Sequence, residues 1–161
     1  MSGKQVLVSG LGRMGLRHLQ GVLKAGDIPT LVSRSSSSIE NALKVVNETT
    51  PTLTVQSYEN LDQIPTESGF DAAIIATTSD VRPKQLTQVL SFGCHSILLE
   101  KPLTQSRKDL EVIRAASYSA DITTCLFRRT LPFFQKFKAS RINKTSPLII
   151  NVTTGASGIG C

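Results

Sequence analysis

Apolar positions along the chain follow two rhythms: short unbroken runs, and longer stretches in which they recur every three or four residues. The first run, Gln5–Ser9, predicts a buried strand. Arg13–Ala25 predicts a helix, with Met14, Leu16, Leu19, Val22 and Leu23 available for packing. Gly26 and Asp27 stop that helix, and Pro29 precedes a second strand, Thr30–Ser33. The polar turn SRSSSS (33–38) leads into a helix over Ser38–Asn47 with Ile39, Ala42, Leu43, Val45 and Val46 on its apolar positions. Thr52–Gln56 predicts a third strand, and Asn60–Gly69 a loop with a short helical turn.

Asp71–Thr77 (DAAIIAT) is continuously apolar in its interior, as a strand buried on both faces should be. Asp80 is placed to cap the next helix, with Pro83 tolerated in its first turn and Gly93 at its end. His95–Leu99 predicts a fifth strand. Ser106-x-x-Asp109 resembles a capping box, starting a helix that runs to about Tyr118. Ile122–Phe127 predicts a sixth strand, Pro132 opens a basic amphipathic helix, and Leu148–Thr154 gives one more strand. Strands alternating with helices predict an α/β fold with a doubly wound parallel sheet of the Rossmann type, complete over residues 1–127. Residues 128–161 then read as a linking helix and the beginning of something else.

Composition narrows the picture. A chain of 161 residues, 40% hydrophobic, supports one core. No apolar stretch is long enough to span a bilayer, so no membrane partner is expected. MSGKQ at the start lacks the apolar run of a secretory signal. Cys94, Cys125 and Cys161 are far apart, without ligand-like or redox-motif spacing. Reduced thiols in a cytoplasmic protein, and no metal site, are the expectation. The net charge of +6 is uneven: no acidic residue follows Asp121, whereas Arg128, Arg129, Lys136, Lys138, Arg141 and Lys144 do. Such a segment could bind nucleic acid, but aromatic residues are not interleaved on a sheet to stack bases. The reading preferred is an exposed helix with no nucleic-acid partner.

The chemistry begins at Gly10-Leu11-Gly12-Arg13-Met14-Gly15, which follows a strand and opens a helix within a strand-helix-strand unit. That is the setting in which G-x-G-x-x-G binds a dinucleotide, whereas the motif alone is a weak signal. Gly10 would permit the tight turn and Gly12 would let the backbone approach a pyrophosphate. Gly15 would let helix and strand pack closely, while helix N–H groups meet the anion. A glycine-rich turn without a ligand is the plainer alternative. At the end of the second strand, NAD sites usually carry an acidic residue for the ribose hydroxyls. This chain has Ser33 there, followed by Arg34, Ser35 and Ser36. Arg34 can bond a 2′-phosphate and the serine hydroxyls add donors, so NADP is favoured over NAD. Ala76, Thr77 and Thr78 end the fourth strand, at the carboxyl edge where the cofactor should lie.

LLEKPLT (98–104), GLGRMGLRH (10–18), DAAIIATTSDVRP (71–83) and FRRTLPFFQKFK (127–138) together resemble the glucose-fructose oxidoreductase/inositol dehydrogenase/MocA family, in family order and spacing. The resemblance implies a two-domain oxidoreductase, with residues 128–161 holding the first strand of a truncated α+β substrate domain. It puts the family lysine at Lys101, near the nicotinamide and the reacting hydroxyl, where an ammonium would stabilise negative charge on a substrate oxygen. Pro102 would shape the turn that aims Lys101, a cis peptide being one way to do so, and Glu100 would anchor it. Arg128 or Arg129 matches the family arginine near the mouth of the site. Arg82 stands where family members often have a histidine, also near the cofactor.

The family's catalytic histidine comes from the second domain, and this sequence has only His18 and His95, both read as structural. The expectation is the cofactor-binding part of an NAD(P)-dependent oxidoreductase, moving hydride to or from a sugar, cyclitol or related small molecule. By itself it would show no turnover, and strand 148–154, left without sheet partners, would either associate with a second copy of the chain, as a homo-oligomer, or stay poorly ordered. The alternative is a non-catalytic dinucleotide-binding regulatory or interaction domain.

Overall fold

Strand β1 (Gln5–Ser9) buries four of its five residues because the sheet continues on both sides of it and helices cover both faces. Around it, the computed structural model, which describes residues 3–126 and 130–141, sets β2 (Ile28–Val32), β3 (Ser57–Tyr58), β4 (Ala72–Ile75), β5 (Ser96–Leu99) and β6 (Asp121–Thr124). All are parallel, in the order β3-β2-β1-β4-β5-β6. Helices α1 (Arg13–Lys24) and α2 (Ser36–Thr49) pack together. Their core is Val6, Val8, Leu19, Leu31, Ala42 and Val46. Helices α3 (Arg82–Ser91) and α4 (Arg107–Ala116) pack together around Leu7, Ala73, Ile75, Ile97 and Leu99. Within each strand, neighbouring residues thus enter different cores, Leu31 the first and Val32 the second, as the two-residue period requires. The chain divides into two compact units, Met1–Leu126 and Phe127–Cys161. In the second, α5 (Pro132–Arg141) is described, with Phe133, Phe134 and Phe137 exposed. No helix among the described residues is long and apolar enough to cross a membrane.

Several boundaries move from the sequence reading, each for a local reason. β2 begins at Ile28, so Pro29 lies inside it. Ile28 N–H donates to Lys4 on the β1 side (2.8 Å), which turns the position lacking an N–H towards a flank that β3 does not reach. The third strand lies at Ser57–Tyr58 and not at 52–56: Leu53 and Val55 pack against the core with α2 but make no ladder. Asp80 does not cap α3, whose N-cap is Val81. The Asp80 carboxylate is held below its ordinary pKa, first by the Thr78 side chain. β4 alternates buried and half-buried residues, because on the α1 side the sheet beyond that helix is an open groove. α2 starts at Ser36, capped by Ser35, and β6 ends at Thr124. The strand expected at 148–154 lies outside the described residues.

Candidate functional site

The turn between β1 and α1 is built by its glycines in three different ways. Gly10 has φ of 89°, and a Cβ there would lie 2.6 Å from the backbone nitrogen of Thr77. At Gly15 a Cβ would lie 1.8 Å from the Gly10 carbonyl oxygen, so helix and turn are in direct backbone contact. At Gly12 it would meet nothing within 4 Å. Gly12 is also the N-cap of α1; no side chain caps this end and no acid occupies the first turn. The first N–H groups and the positive end of the dipole are therefore left for an anion, and the missing Cβ leaves space for one to approach.

That turn opens into a cavity of about 430 Å³ at the carboxyl ends of β1, β2 and β4. The strand ends are tied together there: Gly10 N–H donates to the Val32 carbonyl (2.9 Å) and Ala76 N–H to that of Ser9 (2.7 Å). Ser9, among the cavity's residues, is fully buried, and its Oγ has no partner among the described residues. Of the residues singled out in the sequence, Gly10, Leu11, Gly12, Ser33, Arg34, Ser35, Ala76, Thr77 and Thr78 line the cavity. Arg34 is exposed at its rim. The Ser33 hydroxyl accepts from Ser35 N–H (3.3 Å) and the Ser35 hydroxyl from Ser38 N–H (3.3 Å), which turns the chain from β2 into α2. Arg13, Met14, Gly15 and Ser36 do not line it, and Arg128 lies outside the described residues.

The cavity also contains residues the sequence reading did not name, among them Asn60, Asp62, Lys84, Gln85 and Gln88. Gln85 accepts a hydrogen bond from the Thr77 hydroxyl (2.7 Å), and Gln88 donates to Asp62 (2.5 Å). For Lys84 and Gln85 the signal was available: a helix that starts at the carboxyl end of β4 presents its first polar residues to the same edge.

The Glu100-Lys101-Pro102 turn follows β5, and its Lys101–Pro102 peptide is cis. These three residues do not line the cavity; the Lys101 side chain is exposed. Glu100 is buried, 4% exposed, and its carboxylate is fully engaged. One oxygen meets His18 Nε2 from α1 at 2.8 Å; the other accepts from Lys101 N–H at 3.1 Å. Burial pushes the Glu100 pKa up, but hydrogen bonds from His18, Cys125 and the Lys101 amide outweigh it and hold the carboxyl below its usual range.

Arg82 lies under the same turn and not on the cavity wall. It is 2% exposed, and its guanidinium donates to the carbonyls of Glu100 (2.5 Å), Pro102, Leu103 (3.3 Å) and Thr77, while its Nε has no partner among the described residues. Burial lowers its pKa, opposed by the charges of Glu100 and Asp80. A guanidinium fork suits this task, since one planar cation joins the exit of β4 to the turn after β5.

Residues 4–123 match the model of an oxidoreductase family with an NAD-binding Rossmann fold, named for glucose-fructose oxidoreductase, inositol dehydrogenase and MocA. No curated protein matches the chain. Among solved structures, myo-inositol 2-dehydrogenase from Lactobacillus plantarum superposes with a TM-score of 0.70 at 20% identity, over 88% of this chain and 41% of that one. Scyllo-inositol dehydrogenase from Lactobacillus casei, solved with NAD(H) and scyllo-inositol, gives 0.68 at 19% identity, over 85% and 40%. UDP-N-acetylglucosamine 3-dehydrogenase from Acidithiobacillus ferrooxidans gives 0.69 at 19%, over 87% and 44%. The chain thus spans about two fifths of the length of these proteins.

Proposed function

The chain belongs to the Gfo/Idh/MocA family of oxidoreductases, and we propose that its cavity binds a nicotinamide dinucleotide for hydride exchange with a sugar or cyclitol hydroxyl. The observation that carries this reading is the start of α1, uncapped and facing open space at Gly12. A pyrophosphate there would take the first N–H groups of the helix, and adenosine would extend towards Ser33 and Arg34. When bound, the nicotinamide supplies or accepts the hydride. Lys101 would hold the substrate oxygen and stabilise its developing negative charge, on a turn oriented from below by Glu100 and Arg82. Structures of inositol and nucleotide-sugar dehydrogenases share this fold, which favours a polyhydroxylated small-molecule substrate.

Within this reading the cofactor is NADP in preference to NAD. The family model describes NAD binding, and scyllo-inositol dehydrogenase was solved with NAD(H). Here, however, Ser33 takes the place of the acidic ribose clamp, and Arg34 stands exposed at the rim. Calorimetric titration of NADPH and NADH tests it. Arg34→Ala should weaken NADPH by about tenfold or more while changing NADH little, as expected for loss of a charge-assisted phosphate contact. Equal losses for the two cofactors would remove Arg34 from the phosphate.

A further inference from the structure

His18, Glu100 and Cys125 are too far apart in sequence to suggest a ligand set, yet the fold brings them together from three elements. His18 lies on α1, Glu100 directly follows β5, and Cys125 directly follows β6. The β5–β6 register continues one residue past Thr124, with Cys125 N–H donating to the Leu99 carbonyl (2.8 Å), which sets the thiol beside Glu100. The His18 ring nitrogen, a Glu100 carboxylate oxygen and the Cys125 sulfur all lie within 4.8 Å of one another, the one such group among the described residues.

We infer that these three side chains form a site for a zinc-type divalent cation. Nitrogen, oxygen and sulfur donors together suit zinc; magnesium and calcium take oxygen alone. Tetrahedral bonds of the usual lengths set donor atoms roughly 3.4–3.6 Å apart. The His18–Glu100 pair, at 2.8 Å, must therefore open by about half an ångström. The thiol must approach by no more than about 1.3 Å from the outer limit of 4.8 Å. His18 and Cys125 are half-buried, which gives the ion a route in and leaves its fourth position to water. Carboxylate and thiolate together neutralise the ion, and the Lys101 amide fixes the second carboxylate oxygen from outside. On binding, the thiol gives its proton to solvent, and neutral His18 ligates through Nε2 with its ring proton on Nδ1. The site lies beneath the Lys101 turn but does not depend on the dinucleotide reading.

The test is a titration of the whole chain, without cofactor, using cadmium ion as the probe. In a Cys94→Ser/Cys161→Ser background Cys125 is the remaining thiol. The expected result is a saturable thiolate-to-metal absorption band that zinc ion reverses. His18→Gln should weaken binding by at least about tenfold, and Cys125→Ser should abolish the band. A second measurement needs no variant: zinc ion should slow alkylation of Cys125 in the native chain, followed by mass spectrometry. A band that survives Cys125→Ser, unchanged affinity in His18→Gln, or a Cys125 alkylation rate indifferent to zinc would each overturn the site.

Discussion

Glycines of one motif are not equivalent, and substitution should separate them. Gly15→Ala drives a Cβ into the Gly10 carbonyl at 1.8 Å, between two backbones that cannot give way cheaply. A loss of about 2–4 kcal/mol is expected by urea unfolding, as for overpacking that forces backbone shifts. A near-neutral Gly15→Ala would contradict the close contact. Arg82 makes a second residue-scale prediction. Arg82→Met leaves four carbonyls without their donor and should cost about 3 kcal/mol or more. Hydrogen exchange should show the loss of protection confined first to residues 100–104 and 77–78. Uniform loosening of the sheet would argue against a local strut. Its role was not legible in the sequence: an arginine after the fourth strand reads as a residue facing the cofactor, and only tertiary packing turns it inward. The glycine turn was legible, because its requirements are backbone requirements met within a few residues of one another.

Elements whose signals are local came through in the sequence. The apolar run of β1, the glycine stop after α1 and the Ser106 cap of α4, whose hydroxyl accepts from Asp109 N–H at 3.1 Å, all depend on near neighbours. Failures occurred where a distant partner decides the outcome. Alternation at Leu53 and Val55 signals burial, but strand pairing falls at Ser57–Tyr58, where β2 offers an edge. Pro29 signals a break, yet it is tolerated where the missing N–H has no strand to meet. The link between α1 and the end of β5 through His18 and Glu100 was equally hidden, and it predicts a pH dependence. Because the folded-state Glu100 pKa is lowered, its stabilisation is complete above the ordinary glutamate range and is lost as pH falls through and below it. Glu100→Gln should therefore cost about 1–3 kcal/mol near neutrality, and less as pH falls into the acid range. Urea midpoints of both proteins against pH measure this; a gap that stays constant would show that the charge does not contribute.

At the scale of the molecule, six parallel strands bring the ends of β1, β2 and β4 to one edge, and the chain leaves that edge free of side chains at Gly12. Membership of an oxidoreductase family gives that edge its context, while the reading of a dinucleotide site rests on the uncapped helix start and the cavity around it. A Cβ added at Gly12 meets nothing within 4 Å, so a substitution there is expected to act on a ligand while leaving the fold in place. The decisive measurement is a calorimetric titration of NADPH and NADH into the native chain and into Gly12→Val, with thermal unfolding of each recorded alongside. The account predicts that the native chain binds, and that Gly12→Val unfolds within a few degrees of it yet loses at least about a hundredfold in affinity for both cofactors, about 2.7 kcal/mol. A folded Gly12→Val protein that binds either cofactor as tightly as the native chain would contradict it.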